Sequence, residues 1–318
     1  MYLSDQKIND IVEKVVERIG NNISPSHQSQ VSHERSQVSA VYIQTQKQLG
    51  VFDSIDNAVI AAKEAFETLS RISLEKRETF ISAMRKTTIT LNETISKMAV
   101  DETGLGRAED KLKKNYLVAT KTPGTEILRA IAYSGDHGLS LVERAPYGII
   151  GAITPCTNPT ETILCNAIGM ISGGNTVVFN VHPAAKNLSR FFIDQLNQAI
   201  CQAGGPKNLL SCVAEPSIES ANALMKHKGV RLIVVTGGGA VVQAAMTCGK
   251  RAIAAGPGNP PVIVDETANI EQAAVGIING VSFDNNIICT DEKEVIAVSD
   301  IADLLKLIMI ENVVFFDL

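Results

Sequence analysis

Short β-branched runs alternate with helical segments between residues 147 and 256, and this alternation restricts the fold more than any other feature. The runs that favour strands are YGIIGAITP, NTVVFNV, NLLSCVA, VRLIVVTGG and KRAIAAG. The intervening helical segments are ETILCNAIGMIS, AKNLSRFFIDQLNQAICQAG, SIESANALMKH and AVVQAAMTCG. Such alternation with short links predicts a doubly wound, mostly parallel sheet with helices on both faces, and therefore an α/β fold.

The segment before this alternation has a different pattern of apolar residues. From Val41 to about Tyr133, apolar residues recur at three- and four-residue spacing, which predicts helices. Residues 1–20 form a separate amphipathic helix in this prediction, and residues 21–40, rich in Ser, Gln and Asn, form a flexible linker. A lone short helix is marginal in water, so its apolar face is expected to dock on an external partner. Docking on its own domain or on a dimer partner is the alternative.

Composition excludes several classes of protein. The 318 residues carry a formal net charge of −5, which offers no basic field for nucleic acid. No apolar run is long enough to span a membrane, and no secretory signal is visible, so a cytoplasmic location is expected. The six cysteines form no C-x-x-C pair, which argues against a disulfide framework and against a metal site.

Polar and glycine-rich motifs follow three of the predicted strands, where ligands bind in open α/β sheets. TGGGA, after VRLIVV, offers N–H groups to a phosphate, but it equally fits a turn that permits close packing. In TPCTNP, Asn158 is either an amide donor to an oxyanion or the first residue of an Asx turn. Cys156 in this loop competes with Cys289 as a nucleophile. The remaining cysteines are expected to serve packing: Cys165, Cys201, Cys212 and Cys248.

Six blocks, in order, resemble the aldehyde dehydrogenase superfamily: APYGIIGAITPCTNPTET, NTVVFNVHPAAKN, AICQAGGPKNLL, LIVVTGGGAVVQAA, AIAAGPGNPPVIVDETANIEQAA and SFDNNIICTDEKEVIAV. Within it, HPAAK, AAGPGNPP and FDNNIIC are similar to the CoA-acylating propionaldehyde and acetaldehyde dehydrogenases of bacterial microcompartments, and ETGLGRAEDKLKKN and TPGTEIL look like the same branch. The resemblance implies a dinucleotide-binding domain with N-terminal helices over residues 41–251. It further implies an incomplete catalytic domain over residues 252–318, since family members continue well beyond the cysteine.

The resemblance also implies a role for each matching residue. Cys289 falls on the cysteine that attacks the aldehyde and carries the acyl group as a thioester. Asn158 falls on the asparagine that forms the oxyanion hole together with the Cys289 backbone N–H. Residues on segments that line the groove for the cofactor NAD are Thr154, Pro155, His182, Pro183, Thr236 and Gly237.

The acceptor of the acyl group is suggested by Ala254. Hydrolytic relatives place a glutamate at the head of the aligned motif, whereas this chain has AAGPGNP, which leaves no general base for water. Coenzyme A is a better nucleophile and needs less help, so the resemblance implies acyl transfer to CoA. Asp291 and Glu292, close to Cys289, are expected to face solvent.

The resemblance implies oxidation of a short aldehyde, either acetaldehyde or propionaldehyde, by a homo-oligomeric enzyme inside a microcompartment. The helix of residues 1–20 resembles the peptide that binds a shell protein. Because the chain stops at Leu318, two alternatives stay open. It is either an inactive remnant that keeps the targeting helix and part of the cofactor-binding domain, or one part of a split enzyme.

Overall fold

The computed structural model describes residues 48–313, so the predicted targeting helix and linker lie outside the described residues. Six parallel strands form its main sheet in the order β1-β6-β5-β4-β7-β8. The strands are β1 (Val51–Phe52), β4 (Ile149–Ile153), β5 (Thr176–Asn180), β6 (Leu210–Val213), β7 (Val230–Thr236) and β8 (Arg251–Ala255). This sheet and its helices confirm the predicted α/β class.

Strand β4 lies in the middle of the sheet and is buried along its whole length. It pairs with β5 on one side, where Ile153 opposes Asn180, and with β7 on the other, where Ile153 opposes Val235. A strand covered on both faces can be apolar at every position, which explains the unbroken run IIGAI. The chain leaves β4 toward β5 and later returns to the other side at β7, so a topological switch point lies between β4 and β7.

Helices cover both faces of the main sheet and bury two apolar clusters. They are α1 (Ile55–Leu69), α2 (Leu74–Thr103), α3 (Ala108–Lys121), α4 (Pro159–Ser172), α5 (Lys186–Gln202), α6 (Ile218–Lys226) and α7 (Gly239–Met246). The larger cluster joins α2, α4 and α5 through residues such as Phe80, Ile163 and Phe192. The second joins α1, α6 and the opposite sheet face through Ile55, Leu224 and other side chains.

The helical region is shorter than the sequence predicts. After a short 3-10 turn (Thr125–Ile127), β2 (Ile131–Gly135) and β3 (Gly138–Val142) form an antiparallel hairpin whose residues are all exposed. The expectation of helix up to Tyr133 is therefore wrong over its last residues. Strand β1, only two residues long, was not predicted either, because its pairing with β6 supplies the order that its sequence lacks.

A second, smaller sheet follows β8. Its two parallel strands are β9 (Pro261–Val264) and β10 (Glu294–Ala297), and they pack with α8 (Ile270–Ser282) and α9 (Ser299–Val313) around a third apolar cluster. The domain boundary predicted between residues 251 and 252 falls inside β8, which pairs with β7 as far as Ala255. Within residues 48–313, no helix combines the length and the apolar character needed to cross a bilayer.

Candidate active site

The loops after β4 and β7 meet at the carboxyl edge of the main sheet. Thr154 directly follows β4 and Thr236 ends β7, so both lie beside the topological switch point. Thr154 is buried, and its Oγ1 finds no hydrogen-bond partner among residues 48–313. A buried hydroxyl without a partner is costly in a folded protein, and a polar ligand at this edge would remove the cost.

The other residues predicted to line the cofactor groove lie around the same edge. Pro155 is half-buried, and His182 and Pro183 are exposed after β5. The Nδ1 atom of His182 accepts a hydrogen bond of 3.2 Å from the Ala184 N–H. The Gly237 N–H donates to the Ala255 carbonyl at 3.1 Å. The edge is therefore open and partly polar, which fits a dinucleotide, but not every predicted residue is free to hold one.

Asn158 is the N-cap residue of α4 and is followed by Pro159 at the first helical position. Its side chain accepts no hydrogen bond from the helix backbone, which departs from the Asx-turn alternative. Its Oδ1 instead accepts a hydrogen bond of 2.6 Å from Lys114 Nζ, and its Nδ2 donates to Thr157 Oγ1 at 3.1 Å. The lysine thereby fixes which end of the amide faces α3.

Cys289 is half-buried in the loop between a 3-10 turn (Phe283–Asn286) and β10. Three successive residues of this turn have left-handed backbones: Asp284, Asn285 and Asn286 have φ of 46°, 56° and 58°. Such a run is unusual outside glycine and has to be held by its surroundings. Gly258 also lies close to Cys289: a Cβ added at position 258 would overlap the Cys289 carbonyl oxygen.

A buried ionic cluster joins the Asn158 loop to the Cys289 loop through α3. Lys111 Nζ lies 2.9 Å from Asp284 Oδ2 and donates to the Thr157 carbonyl at 2.5 Å. Lys114 Nζ contacts Asp284 Oδ2 as well, and lies 3.2 Å from Glu161 Oε1 without hydrogen-bond geometry. Both loops are therefore tied to the same helix by two neighbouring ammonium groups.

The two lysines of the cluster differ in their electrostatics. Burial lowers the pKa of the Lys111 ammonium, and the neighbouring Lys114 charge lowers it further, against the attraction of Glu161 and Asp284. Burial also acts to lower the pKa of Lys114, but Glu161 and Asp284 outweigh it and the pKa is raised. Lys114 is thus the member of the pair that holds its proton more firmly.

The sequence prediction missed this cluster, although a signal was present. The buried face of α3 carries polar residues at helical spacing, namely Asp110, Lys111, Lys114 and Asn115. A search for apolar stripes overlooks such a face, because it treats charged positions as solvent-exposed. The expectation for Asp291 was also wrong: its side chain is buried, its Oδ2 accepts from the Ile288 N–H at 3.1 Å, and burial raises its pKa.

The other cysteines have different environments. Cys156 is half-buried in the loop after β4, while Cys212 is fully buried in β6, where burial raises the pKa of its thiol to about 12. Cys165 is exposed on α4, so the expectation that it serves packing is wrong. Within the part of the chain that the structure describes, no cluster of His, Cys, Asp or Glu is placed to hold a metal ion.

Comparison with known proteins decides the family. The model of the aldehyde dehydrogenase family matches residues 29–313. The chain belongs to this family. It is 53% identical to an acetylating acetaldehyde dehydrogenase of Bilophila wadsworthia over 258 residues, which are 81% of this chain and 53% of that protein. This similarity confirms the predicted resemblance to the CoA-acylating branch of the aldehyde dehydrogenase family.

Solved structures of the family agree with the fold. A propionaldehyde dehydrogenase from a fucose-utilisation microcompartment of Clostridium phytofermentans superposes with a TM-score of 0.81 at 53% identity, over 83% of this chain and 61% of that one. A propionaldehyde dehydrogenase of Rhodopseudomonas palustris with bound CoA and an acylated cysteine gives 0.81 at 51% identity, over 83% and 60%. The chain thus spans between about half and two thirds of the length of these aldehyde dehydrogenases.

Proposed function

We propose that the protein oxidises a short aldehyde to an acyl-CoA. The balanced reaction is aldehyde + NAD⁺ + CoA giving acyl-CoA + NADH + H⁺. The observation that carries the proposal is the joint attachment of Asn158 and the Cys289 loop to the Lys114–Asp284 pair. This attachment places an amide donor and a half-buried thiol on loops that contact the same helix, α3.

Cys289 is the nucleophile in this proposal. Its thiolate adds to the aldehyde carbon, and the carbonyl oxygen becomes an alkoxide that the Asn158 Nδ2 and the Cys289 backbone N–H stabilise. Among the described residues, Asn158 Nδ2 makes one hydrogen bond and therefore keeps a second N–H for this oxygen. After hydride loss, the acyl group stays on the sulfur as a thioester.

The carboxyl edge of the main sheet is the site we propose for NAD. A nicotinamide cofactor bound there would accept the hydride from the carbon attached to Cys289. Thr154, whose buried hydroxyl has no partner among residues 48–313, would hold the cofactor together with Pro155 and the loop of Thr236 and Gly237. His182 and Pro183 border the edge after β5.

Coenzyme A is the acceptor in this proposal because the chain has no carboxylate at the position of Ala254. This alanine lies in β8 opposite Val235, where a relative that hydrolyses its thioester has a glutamate. Water attack on the thioester would then be slow. The sulfur of CoA, a stronger nucleophile near neutral pH, takes the acyl group and frees the Cys289 thiol.

The test follows NADH formation by the 318-residue chain with propanal or acetaldehyde, with and without CoA. We expect CoA-dependent NADH formation that Cys289→Ala abolishes and Cys156→Ala preserves. Cys156 is the matched control, because it is also half-buried and lies in a loop at the carboxyl edge. Activity that depends on Cys156 and survives Cys289→Ala would contradict the assignment of the nucleophile.

A second candidate function, dinucleotide binding without turnover, is favoured by a specific observation. The central strands β4 and β5 of the six-stranded sheet are fully buried between two apolar clusters, whereas exposed apolar residues such as Ile263 and Ile296 remain on both strands of the smaller sheet. Calorimetric titration with NAD⁺ separates the two functions. Saturable binding without NADH formation or acylation of Cys289 would favour the non-catalytic remnant.

We further propose that residues 1–20 bind a microcompartment shell protein and that the enzyme is a homo-oligomer. The amphipathic pattern of residues 8–19 supports targeting, and the exposed apolar residues of the β2–β3 hairpin, such as Tyr133 and Leu139, support association between copies. Residues 1–20 fused to a fluorescent protein should form puncta in cells that make shells. A diffuse signal would contradict targeting, and a monomer in sedimentation would contradict association.

A further inference from the structure

The buried face of α3 carries charged side chains, including Lys111 and Lys114. The side chain of Lys111 is fully buried and that of Lys114 is 9% exposed. Removing two ammonium groups from water is expensive, and apolar residues of similar volume commonly replace a buried ion pair without loss of stability. The contacts of these lysines therefore call for a reason beyond stability.

Lys114 contacts the oxygen end of the Asn158 amide. An ammonium group carries only donors, so it accommodates Oδ1 at 2.6 Å and repels the NH₂ group that a flipped amide would present. With Oδ1 fixed in this way, Nδ2 faces away from α3, where its bond to Thr157 Oγ1 occupies one of its two hydrogens. The direction of the remaining N–H is thus set by Lys114.

The same ammonium contacts the turn that leads to the nucleophile. Asp284 accepts from Lys114 and from the Arg107 backbone N–H at 2.9 Å, while its own N–H donates to Asp110 Oδ2 at 3.0 Å. These bonds fix the left-handed turn that precedes Cys289 by a few residues. Lys114 therefore contacts both the Asn158 amide and the turn before Cys289, whereas Lys111 reaches the Asn158 loop only through the Thr157 carbonyl.

We propose that Lys114 is a positioning residue for the oxyanion hole, which holds the Asn158 amide in its donating orientation and aligns it with the Cys289 loop. This inference rests on the proposed roles of Cys289 and Asn158. Lys114 itself does not touch the reacting atoms. Its effect should be confined to steps in which an oxyanion forms.

Two reagents separate such steps from general thiol reactivity. The Cys289 thiolate attacks 4-nitrophenyl acetate, an oxyanion forms, 4-nitrophenolate leaves and the sulfur becomes acetylated. With iodoacetamide the same thiolate displaces iodide at a saturated carbon, and no oxyanion forms. We expect Lys114→Met to slow acetylation at least about tenfold, with the alkylation rate changing less than about threefold.

Lys111→Met is the matched control, since it removes a buried ammonium from Asp284 and from the Thr157 carbonyl, whereas Lys111 makes no hydrogen bond to the Asn158 side chain. We expect it to change acetylation and alkylation by a similar factor. Lys114→Arg, which keeps a donor-only cation, should restore part of the acetylation rate, and it also serves if Lys114→Met fails to fold. In the Asn158→Ala background, Lys114→Met should have little further effect on acetylation.

Equal losses of acetylation and alkylation in Lys114→Met, or effects of Lys114→Met and Asn158→Ala that multiply, would overturn the inference. A parent chain that is alkylated but never acetylated would contradict the proposed function instead. In that case, NMR of the Asn158 side-chain amide tests the positioning role of Lys114. The amide signals are identified by their absence from the spectrum of Asn158→Ala. Lys114→Met should shift or broaden those signals, and unchanged signals would overturn the inference.

Discussion

Gly106 lies directly against the carboxylate of Asp284, so a Cβ at position 106 would overlap both Oδ1 and the carboxyl carbon. The glycine also has a left-handed backbone with φ of 77°. The loop before α3 can therefore approach the turn of Phe283–Asn286 only because this position carries no side chain. This close approach allows the Arg107 N–H to donate to Asp284.

Alanine at position 106 should destabilise the protein more than alanine at a similar glycine nearby. Gly106→Ala combines left-handed strain with overlap, and we expect it to lower the free energy of unfolding by about 3 kcal/mol. Gly104 has φ of 68° and open space around its Cα, so Gly104→Ala should cost only about 1 kcal/mol. Urea unfolding followed by circular dichroism measures both, and equal losses would contradict the contact with Asp284.

A side chain at position 258 should disturb the Cys289 loop more than the rest of the fold. The Cβ of Gly258→Ala would overlap the Cys289 carbonyl oxygen and displace the loop, so we expect alkylation of Cys289 and aldehyde oxidation to fall about tenfold or more. Gly256→Ala is the control, because its Cβ would lie at an ordinary 4.0 Å from Val242. Matching rates for the two variants would show that Gly258 does not set the position of Cys289.

Acid should weaken the attachment of α3 to the turn of Phe283–Asn286, because Asp110 accepts a hydrogen bond from the Asp284 N–H. Burial acts to raise the pKa of Asp110, but the Asp284 N–H and the side chains of Lys113 and Arg107 outweigh it, and the pKa is lowered below 3.8. A carboxyl group whose pKa is lower in the folded state than in the unfolded state stabilises the protein at pH values above its unfolded-state pKa. This contribution is lost as the pH falls through the lowered value.

Asp110→Asn should therefore be less stable than the parent chain at neutral pH, by about 1–3 kcal/mol. The difference should shrink as the pH falls from 3.8 through the lowered value, where the carboxylate of the folded parent chain becomes protonated. Thermal unfolding across this pH range gives the measurement. Glu109→Gln, at an exposed neighbour on α3, should be nearly neutral throughout. A stability difference for Asp110→Asn that does not change with pH would contradict the linkage.

The cysteines should differ sharply in their reaction with iodoacetamide. Cys212 is fully buried and its pKa is raised to about 12, so it should stay unmodified in the folded chain. Cys165 is exposed and should be alkylated readily. Mass spectrometry of proteolytic peptides measures each site, with labelling in urea as the reference for full reaction. Modification of Cys212 in the folded chain would show that β6 opens.

The strands and helices of the main sheet were predictable because burial on both faces dictates their composition. β4 and β5 consist almost entirely of apolar or β-branched residues, and α5 has a regular apolar stripe. The β2–β3 hairpin was not predicted, since all of its residues are exposed and no buried face imposes an alternating pattern. The periodicity of apolar residues predicts secondary structure poorly where both faces of an element are exposed.

The candidate site was predictable only in part. Family motifs lead to Cys289 and Asn158, because these residues lie in distinctive local sequences. Lys114 and Asp284 are far apart in sequence, and their pairing arises from the docking of the Cys289 loop on α3. No local rule anticipates such a pair, although the polar stripe on α3 indicates that something charged must face it.

The contact between Lys114 and Asp284 joins residues that are 170 positions apart in the chain. During synthesis from the amino terminus, α3 and the strands up to β8 emerge before Asp284 does. Lys111 and Lys114 are therefore synthesised long before Asp284. Glu161, which Lys114 also contacts, is synthesised earlier than Asp284. Because contacts of such long sequence separation tend to form late, we expect the turn that precedes Cys289 to become ordered in one of the last steps of folding. The nascent chain would thereby complete its six-stranded sheet before it orders the loop that carries Cys289.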